Sequence, residues 1–409
     1  MHTIYLDYNA TTPMRPELLE AVRSYSGLEG DFGNPSSLHT AGQRARAALE
    51  RAREQVAGFL GASDVSEIVF TSGGTEADNL AIQGAAFAHR DAGRHIITSS
   101  VEHSAVMKTC RFLETQHGFE VTYLPVDRFG RVSPEDLRKA LRRDTVLVSL
   151  MAANNEIGTV EPLMELGAVC RERGVLFHSD AVQAAGRLPI DVKTWPVDML
   201  AVSGHKIYAP KGIGALWLRR GTRLQALQYG GSHEKNRRAG TENVAGAAAL
   251  GLACELAGKE LEGEVKMLRT LRDRLEQGIL ARIPLTSVNG HPTERLCNTT
   301  HIAFECVEGE SLLLALDQAG FSLRRPELPG ICVSTGSACS AGLLEPSHVL
   351  SAIGVPPERL HGCVRFSLGH YNTQQDVDQV LEIMPPIVEK LRSLSPLWDE
   401  KRRGARSAG

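Results

Sequence analysis

The chain has 409 residues, with 45 Lys and Arg against 48 Asp and Glu and a formal net charge of −3. That near-balance gives no electrostatic case for binding nucleic acid or an anionic membrane surface, and no apolar stretch reaches the roughly 18 residues needed to span a bilayer. Apolar content of 42% and charged content of 23% are those of an ordinary enzyme of two or three structural units.

Helical periodicity runs from about residue 41 to 62, where Ala48, Leu49, Ala52, Val56, Phe59 and Leu60 recur on one face. Residues 67–71 then read as a short strand and 75–89 as a helix. Further strands are expected at 95–99, 120–124, 146–150, 175–178 and 197–202, with helical segments between most of them. Strands alternating with helices predict an α/β fold, its mostly parallel central sheet covered by helices on both faces. Such sheets bind ligands at the carboxyl ends of their strands.

The pattern changes near residue 260. A long charged amphipathic helix is expected over 262–283, then a strand at 301–305, a helix over 310–319, an irregular stretch, a strand at 363–368 and a helix over 373–394. This predicts a smaller α+β domain. The expected division is 16–258 for a large domain, 1–15 with 259–395 for a small one, and a flexible tail over 396–409. The first residues, Met1-His2-Thr3-Ile4-Tyr5, show no basic region leading into an apolar one, so a cytoplasmic location is expected. Cys110, Cys170, Cys254, Cys297, Cys306, Cys332, Cys339 and Cys363 are scattered, without Cys-x-x-Cys pairs or zinc spacing, so reduced thiols and no metal site are expected.

Lys206 follows the apolar run 197–202, in Ser203-Gly204-His205-Lys206. A lysine at a strand terminus can be both partly desolvated and reachable, which makes its amine a nucleophile toward aldehydes. Asp180 ends another apolar run. A lysine that can form an imine and a carboxylate that can pair with a pyridinium nitrogen are the least a protein contributes to pyridoxal phosphate chemistry. Thr71-Ser72-Gly73-Gly74-Thr75-Glu76, between a strand and a helix, offers a phosphate cradle at Gly74 and Thr75. Thr75 can equally be the helix N-cap. Ser203 and His205 supply further phosphate donors.

Gln183 and Asn155 carry donors suited to a ring oxygen. His103 can stack on the ring and move protons, or be a satisfied structural histidine. The small-residue run 334–342 around Cys339 predicts a mobile loop, about 330–345, whose thiol is exposed and able to carry a sulfur atom or is an ordinary loop thiol. Arg365 is a candidate fork for an amino-acid carboxylate, or half of a surface salt bridge.

Taken together, Tyr5-Leu6-Asp7-Tyr8-Asn9-Ala10-Thr11-Thr12, Phe32-Gly33-Asn34-Pro35-Ser36-Ser37, the 71–76 turn, Asn154-Asn155-Glu156-Ile157-Gly158, Ser203-Gly204-His205-Lys206 and Gly336-Ser337-Ala338-Cys339-Ser340 resemble the pyridoxal phosphate-dependent cysteine desulfurases. The likeness runs from about residue 3 to 398 and is closest to the nitrogen-fixation-type and housekeeping iron–sulfur branch. Arg238-Ala239-Gly240-Thr241-Glu242-Asn243 and Leu394-Ser395-Pro396-Leu397-Trp398 look more like the nitrogen-fixation type.

The resemblance implies the aminotransferase-type (fold type I) architecture, a homodimer, and conversion of L-cysteine to L-alanine with delivery of sulfur to an iron–sulfur scaffold or other acceptor. It implies Lys206 as the cofactor-bearing lysine and Cys339 as the persulfide carrier, able to hand sulfur to, or transiently ligate, a nascent iron–sulfur cluster. Asp180 would face the ring nitrogen, Gln183 the ring oxygen, and His103 the ring as stacking acid or base. Thr75, Ser203 and His205 would hold the phosphate, with Thr241 reaching that of the partner subunit. Asn34, Asn155 and Arg365 would contact substrate. One departure stands out: residues 322–333 exceed the expected length by about ten, directly before the thiol loop. A selenocysteine lyase, an aminotransferase, and a catalytically silent sulfur-relay module are the alternatives.

Overall fold

The computed structural model describes residues 3–335 and 347–398. A seven-stranded sheet runs in the order Ile68–Thr71, Gly214–Leu218, Met199–Ser203, Leu176–Asp180, Thr145–Ser149, His95–Ser99, Glu120–Leu124. All neighbours are parallel except Gly214–Leu218, which is antiparallel to both strands beside it. Both faces are buried, because the strands are near-continuous apolar runs whose alternate residues serve different cores. Leu200 and Val202 pack in one, with Phe177 and Trp217. Met199 and Ala201 pack in the other, with Ile96 and Leu147.

The apolar runs stop in polar residues: Thr71, Ser99, Ser149, Asp180 and Ser203 each end a strand, and those five strands run in one direction. One edge of the sheet thus collects hydroxyls and a carboxylate.

A second unit holds a three-stranded antiparallel sheet, ordered Cys363–Ser367, Thr299–Phe304, Thr286–Asn289. Its core takes in Phe304, Leu312, Phe366 and Met384, with the helices Gly309–Asp317 and Gln374–Ser393. Ile4–Tyr5 pairs in parallel with Ile331–Cys332. The far end of the extra segment 322–333 is therefore fastened to the N-terminal strand, and the stretch read as irregular holds this strand and short helices at Ala319–Ser322, His348–Ala352 and Pro357–Leu360.

Val244–Arg282 is one helix of 39 residues, where the sequence suggests only its charged second half. It runs through position 258/259, the expected domain boundary. Its first half packs Ala247, Leu250 and Cys254 into the large core, and its second half packs Leu268, Leu275 and Ile279 into the small one. The first half shows no amphipathic stripe because it is nearly all small and apolar. Gly251 is needed there: a Cβ would stand 2.7 Å from Ala52 Cα on the Thr40–Leu60 helix. Beyond Ser395 the chain makes a further helical turn, and Trp398 lies over the Arg392 guanidinium at 5.0 Å. No helix among the described residues is long and apolar enough to cross a membrane.

A buried ion pair ties the 231–242 loop to this frame. Arg53 donates to both Glu234 oxygens at 2.7 and 2.8 Å and to Ile68 O at 2.9 Å. Glu234 also accepts from Phe70 N at 3.0 Å while holding a φ of 45°. Removing the cation strands a buried carboxylate, a change that costs about 3–5 kcal/mol. Arg53→Ala should lower the urea midpoint accordingly, and an unchanged midpoint would refute the pair's structural role.

Candidate active site

A cleft of about 740 Å³ opens at the polar strand ends. Lys206 reaches it because the strand Met199–Ser203 breaks into the tight turn Gly204–Lys206. A Cβ on Gly204 would press to 2.9 Å against Ile213 Cγ2. Lys206 Nζ donates to the carbonyls of Asn9 and, at 2.8 Å, Ala10, so the amine is held at the cleft wall. Asp180 is buried, and its Oδ1 accepts from Val182 N at 2.9 Å. Burial pushes this carboxyl up, while His103, the Val182 amide and Lys206 oppose that rise.

The anion cradle forms at the start of the Gly74–His89 helix. Its N-cap is Gly73, at φ 153°, and not Thr75, which sits inside the first turn and lines the cleft. A Cβ on Gly74 would lie 2.6 Å from Val182 Cγ2 and 3.4 Å from Ser203 Cβ. Only glycine leaves that space, and the first N–H groups of the helix are unused by its own ladder. Ser203 and His205 share the cleft. His205 Nδ1 lies 3.1 Å from Thr11 Oγ1. Burial, then Lys206 and Lys211, push this imidazole down to about 4, so it faces the cleft as a neutral group.

His103 caps the Ser104–His117 helix, its Nδ1 accepting from Ala105 N at 3.1 Å. The neutral ring therefore carries its proton on Nε2. Gln183 Nε2 donates to Asn9 O at 3.0 Å, which leaves its second N–H for a ligand. Arg365 is buried, not half of a surface salt bridge. It donates to Asp7 Oδ1 at 2.6 Å and to Asn155 O at 2.8 Å, and it lines the cleft with Asn155.

Residues 4–380 match the family described as Aminotransferase class-V. The chain belongs to that family. Within it, the chain is 54% identical over 400 residues to "Cysteine desulfurase IscS" of Methanosarcina thermophila, covering 98% of this chain and 95% of the relative. It is 53% identical over 401 residues to "Cysteine desulfurase" of Trichormus azollae, covering 98% and 96%. Among solved structures, "NIFS-LIKE PROTEIN" superposes with a TM-score of 0.87 at 35% identity, covering 95% of this chain and all of that one. "SspA in complex with cysteine" gives 0.77 at 37%, covering 91% and 100%.

On this class-V frame the cleft gathers Lys206, His103, Gly74, Thr75, Asn155, Asp180, Gln183, Ser203, His205 and Arg365. It does not gather Asn34 or Thr241. Both are exposed and stand away from it, Asn34 accepting from Ser36 N at 2.9 Å. Cys339 lies outside the described residues. The described chain stops at Thr335 and resumes at Ser347, and both flanks meet the cleft. Ser334 exchanges backbone hydrogen bonds with Arg365. Ser347 Oγ donates to Glu156 Oε2 at 2.6 Å, and His348 Nε2 meets Glu102 O at 2.9 Å.

Sequence reasoning missed Asn9, Asp78 and Glu102, which line the same cleft. Asp78 had a signal: a lone acid among Ala77, Leu80, Ala81 and Ile82, on the helix's buried face. The neutrality of His205 is testable. An imidazole NMR titration should give it a midpoint near 4, well below the free value of about 6.5; a midpoint above about 6 would show that burial does not control it.

Proposed function

We propose that this class-V enzyme is a cysteine desulfurase that uses pyridoxal phosphate and carries sulfur on Cys339. The observation that carries the reading is the convergence of Lys206 and Asp180 with a glycine-only anion cradle in one cleft. The cradle would hold the cofactor's phosphate, with Ser203 and His205 as further donors. Asp180 would hold the ring nitrogen protonated, Gln183 and Asn155 would address the ring oxygen, and His103 would lie against the ring. When bound, the cofactor supplies an electron sink for the carbanion formed at the substrate's Cα.

The chain's own residues do the rest. Arg365, fixed by Asp7 and the Asn155 carbonyl, takes the substrate carboxylate, with the Asn155 side chain beside it. Lys206 Nζ, within the same cleft, removes the Cα proton. His103, through Nε2, would exchange a proton with the substrate amine or an incoming thiol. Cys339 follows by five residues Ser334, whose backbone exchanges hydrogen bonds with that of the cleft-lining Arg365. Its thiolate attacks the substrate sulfur. An S–S bond forms and the C–S bond breaks, its electron pair remaining on Cβ, which is protonated to a methyl group. L-Cysteine and the Cys339 thiol become L-alanine and a Cys339 persulfide, with no external oxidant.

We further propose a homodimer that serves an iron–sulfur scaffold or related acceptor, nitrogen-fixation assembly included, in the cytoplasm. The exposed Asn34 and Thr241 complete no cleft in a single chain, and Leu28, Phe32 and Leu38 are exposed around Asn34. A second copy would bring these residues to a site. The described cysteines are all free, as a thiol-based carrier in a reducing compartment requires.

Cys339→Ala, loaded with pyridoxal phosphate, should keep the visible absorbance of the wild type yet release no alanine or sulfide from L-cysteine; undiminished turnover would refute the persulfide role. Lys206→Ala should lose that absorbance and slow turnover by about 10²–10⁴-fold. An unchanged band would make Lys211, which also lines the cleft, the anchoring lysine.

A further inference from the structure

Three carboxyl groups, Asp78, Glu102 and Asp180, are buried on one side of the cleft. Atoms of Asp78, His103 and Asp180 lie within 4.8 Å of one another. Asp78 and Asp180 as two anions this close, away from water, would repel one another strongly, and an ionised Glu102 would add to that repulsion. Glu102 Oε1 accepts from Ser99 Oγ at 2.6 Å and Met151 N at 3.1 Å. Asp78 Oδ1 is buried with no hydrogen-bond partner among the described residues, and so is His178 Nε2. These two atoms face each other at 3.6 Å, too close for water to stand between them.

His178 lies two residues before Asp180 on the strand Leu176–Asp180, so both side chains leave the same face of the sheet. Its Nδ1 meets Ser149 Oγ at 2.9 Å, and the ring is wholly buried. At 3.6 Å the two atoms are neighbours beyond hydrogen-bond length, and a protonated Asp78 facing a neutral His178 leaves neither atom beside an unpaired charge.

We propose that Asp78 is held as a neutral acid facing His178 Nε2, and that this pair is a positioning device that leaves Asp180 as the anion of the group. Burial acts in the same sense. It pushes Asp78 well above the carboxylate range, with Asp180 and Glu102 adding to the rise, and it pushes His178 down to about 3. The inference rests on the reading of Asp180 as partner of the cofactor's ring nitrogen. An ionised Asp78 would draw a proton onto Asp180 and weaken that partnership.

Asp78→Asn and Asp78→Ala separate charge from contact. Asparagine keeps the shape and an N–H donor but cannot ionise. Pyridoxal phosphate affinity of the apo-protein and the pH midpoint of the holoenzyme's visible absorbance are the readouts, with thermal unfolding as the check on folding. Asp78→Asn should stay within about threefold of wild type in affinity, with its midpoint unmoved. Asp78→Ala should lose about tenfold and move the midpoint by about one unit.

An Asp78→Asn variant as impaired as Asp78→Ala would show that the charge matters, and an Asp78→Ala variant like wild type would make the residue a bystander. Either result overturns the proposal. If Asp78→Ala does not fold, Asp78→Asn decides alone, because an ionised Asp78 requires a midpoint shift of about one unit in that variant. A wild type that binds no pyridoxal phosphate would refute the cofactor reading instead.

Discussion

Asn9 is the residue on which the cleft's geometry depends. It is buried, and its polar groups reach into both halves of the molecule. Its N–H donates to Ser367 Oγ at 2.9 Å, and its Nδ2 donates to Thr299 Oγ1 at 2.9 Å and Asn155 O at 3.2 Å. Its Oδ1 accepts from Asn298 Nδ2 at 3.1 Å. Its carbonyl accepts from Gln183 Nε2 and Lys206 Nζ. A buried polar network is stable only when its members are satisfied, so this one fixes the small antiparallel sheet against the strand ends of the large one. The lysine is therefore aimed by the N-terminal segment as much as by its own turn.

That segment is itself short. Ile4–Tyr5 is a strand of two residues, too little to be ordered alone. It is held by Ile331–Cys332, by Leu6 N donating to Cys332 O at 2.8 Å, and by the Asp7–Arg365 pair. The extra segment 322–333 thus bears on the cleft through the backbone that carries Asn9.

The large sheet was legible because its parallel strands are apolar runs with helices between them. Gly214–Leu218 was not. It runs against its neighbours, and one of them, Ile68–Thr71, is more than a hundred residues away, so no local pattern announces that pairing. The first half of Val244–Arg282 hid for a related reason: a helix buried nearly all round has no polar stripe to reveal its period. Lys206, Asp180 and the glycine turn could be read because chemistry demands unusual residues at strand ends. Asn34 and Thr241 came only from family likeness, and a single chain leaves them at the surface. Asn9 was hidden because an asparagine acting through its backbone carbonyl has no signature in sequence.

Glu102 and Glu156 connect the cleft to the described chain that follows residue 346. Each lines the cleft, and each also holds the chain where it resumes at Ser347 and His348: Glu156 through its carboxylate and Glu102 through its carbonyl. Burial pushes the Glu156 carboxyl up, and the hydrogen bond from Ser347 opposes that rise. At the other end Arg365 grips Ser334 through its backbone while its guanidinium donates to Asp7 and Asn155. The described residues on both sides of the 336–346 stretch, Ser334 and Ser347 with His348, are therefore tied to residues that also line the cleft.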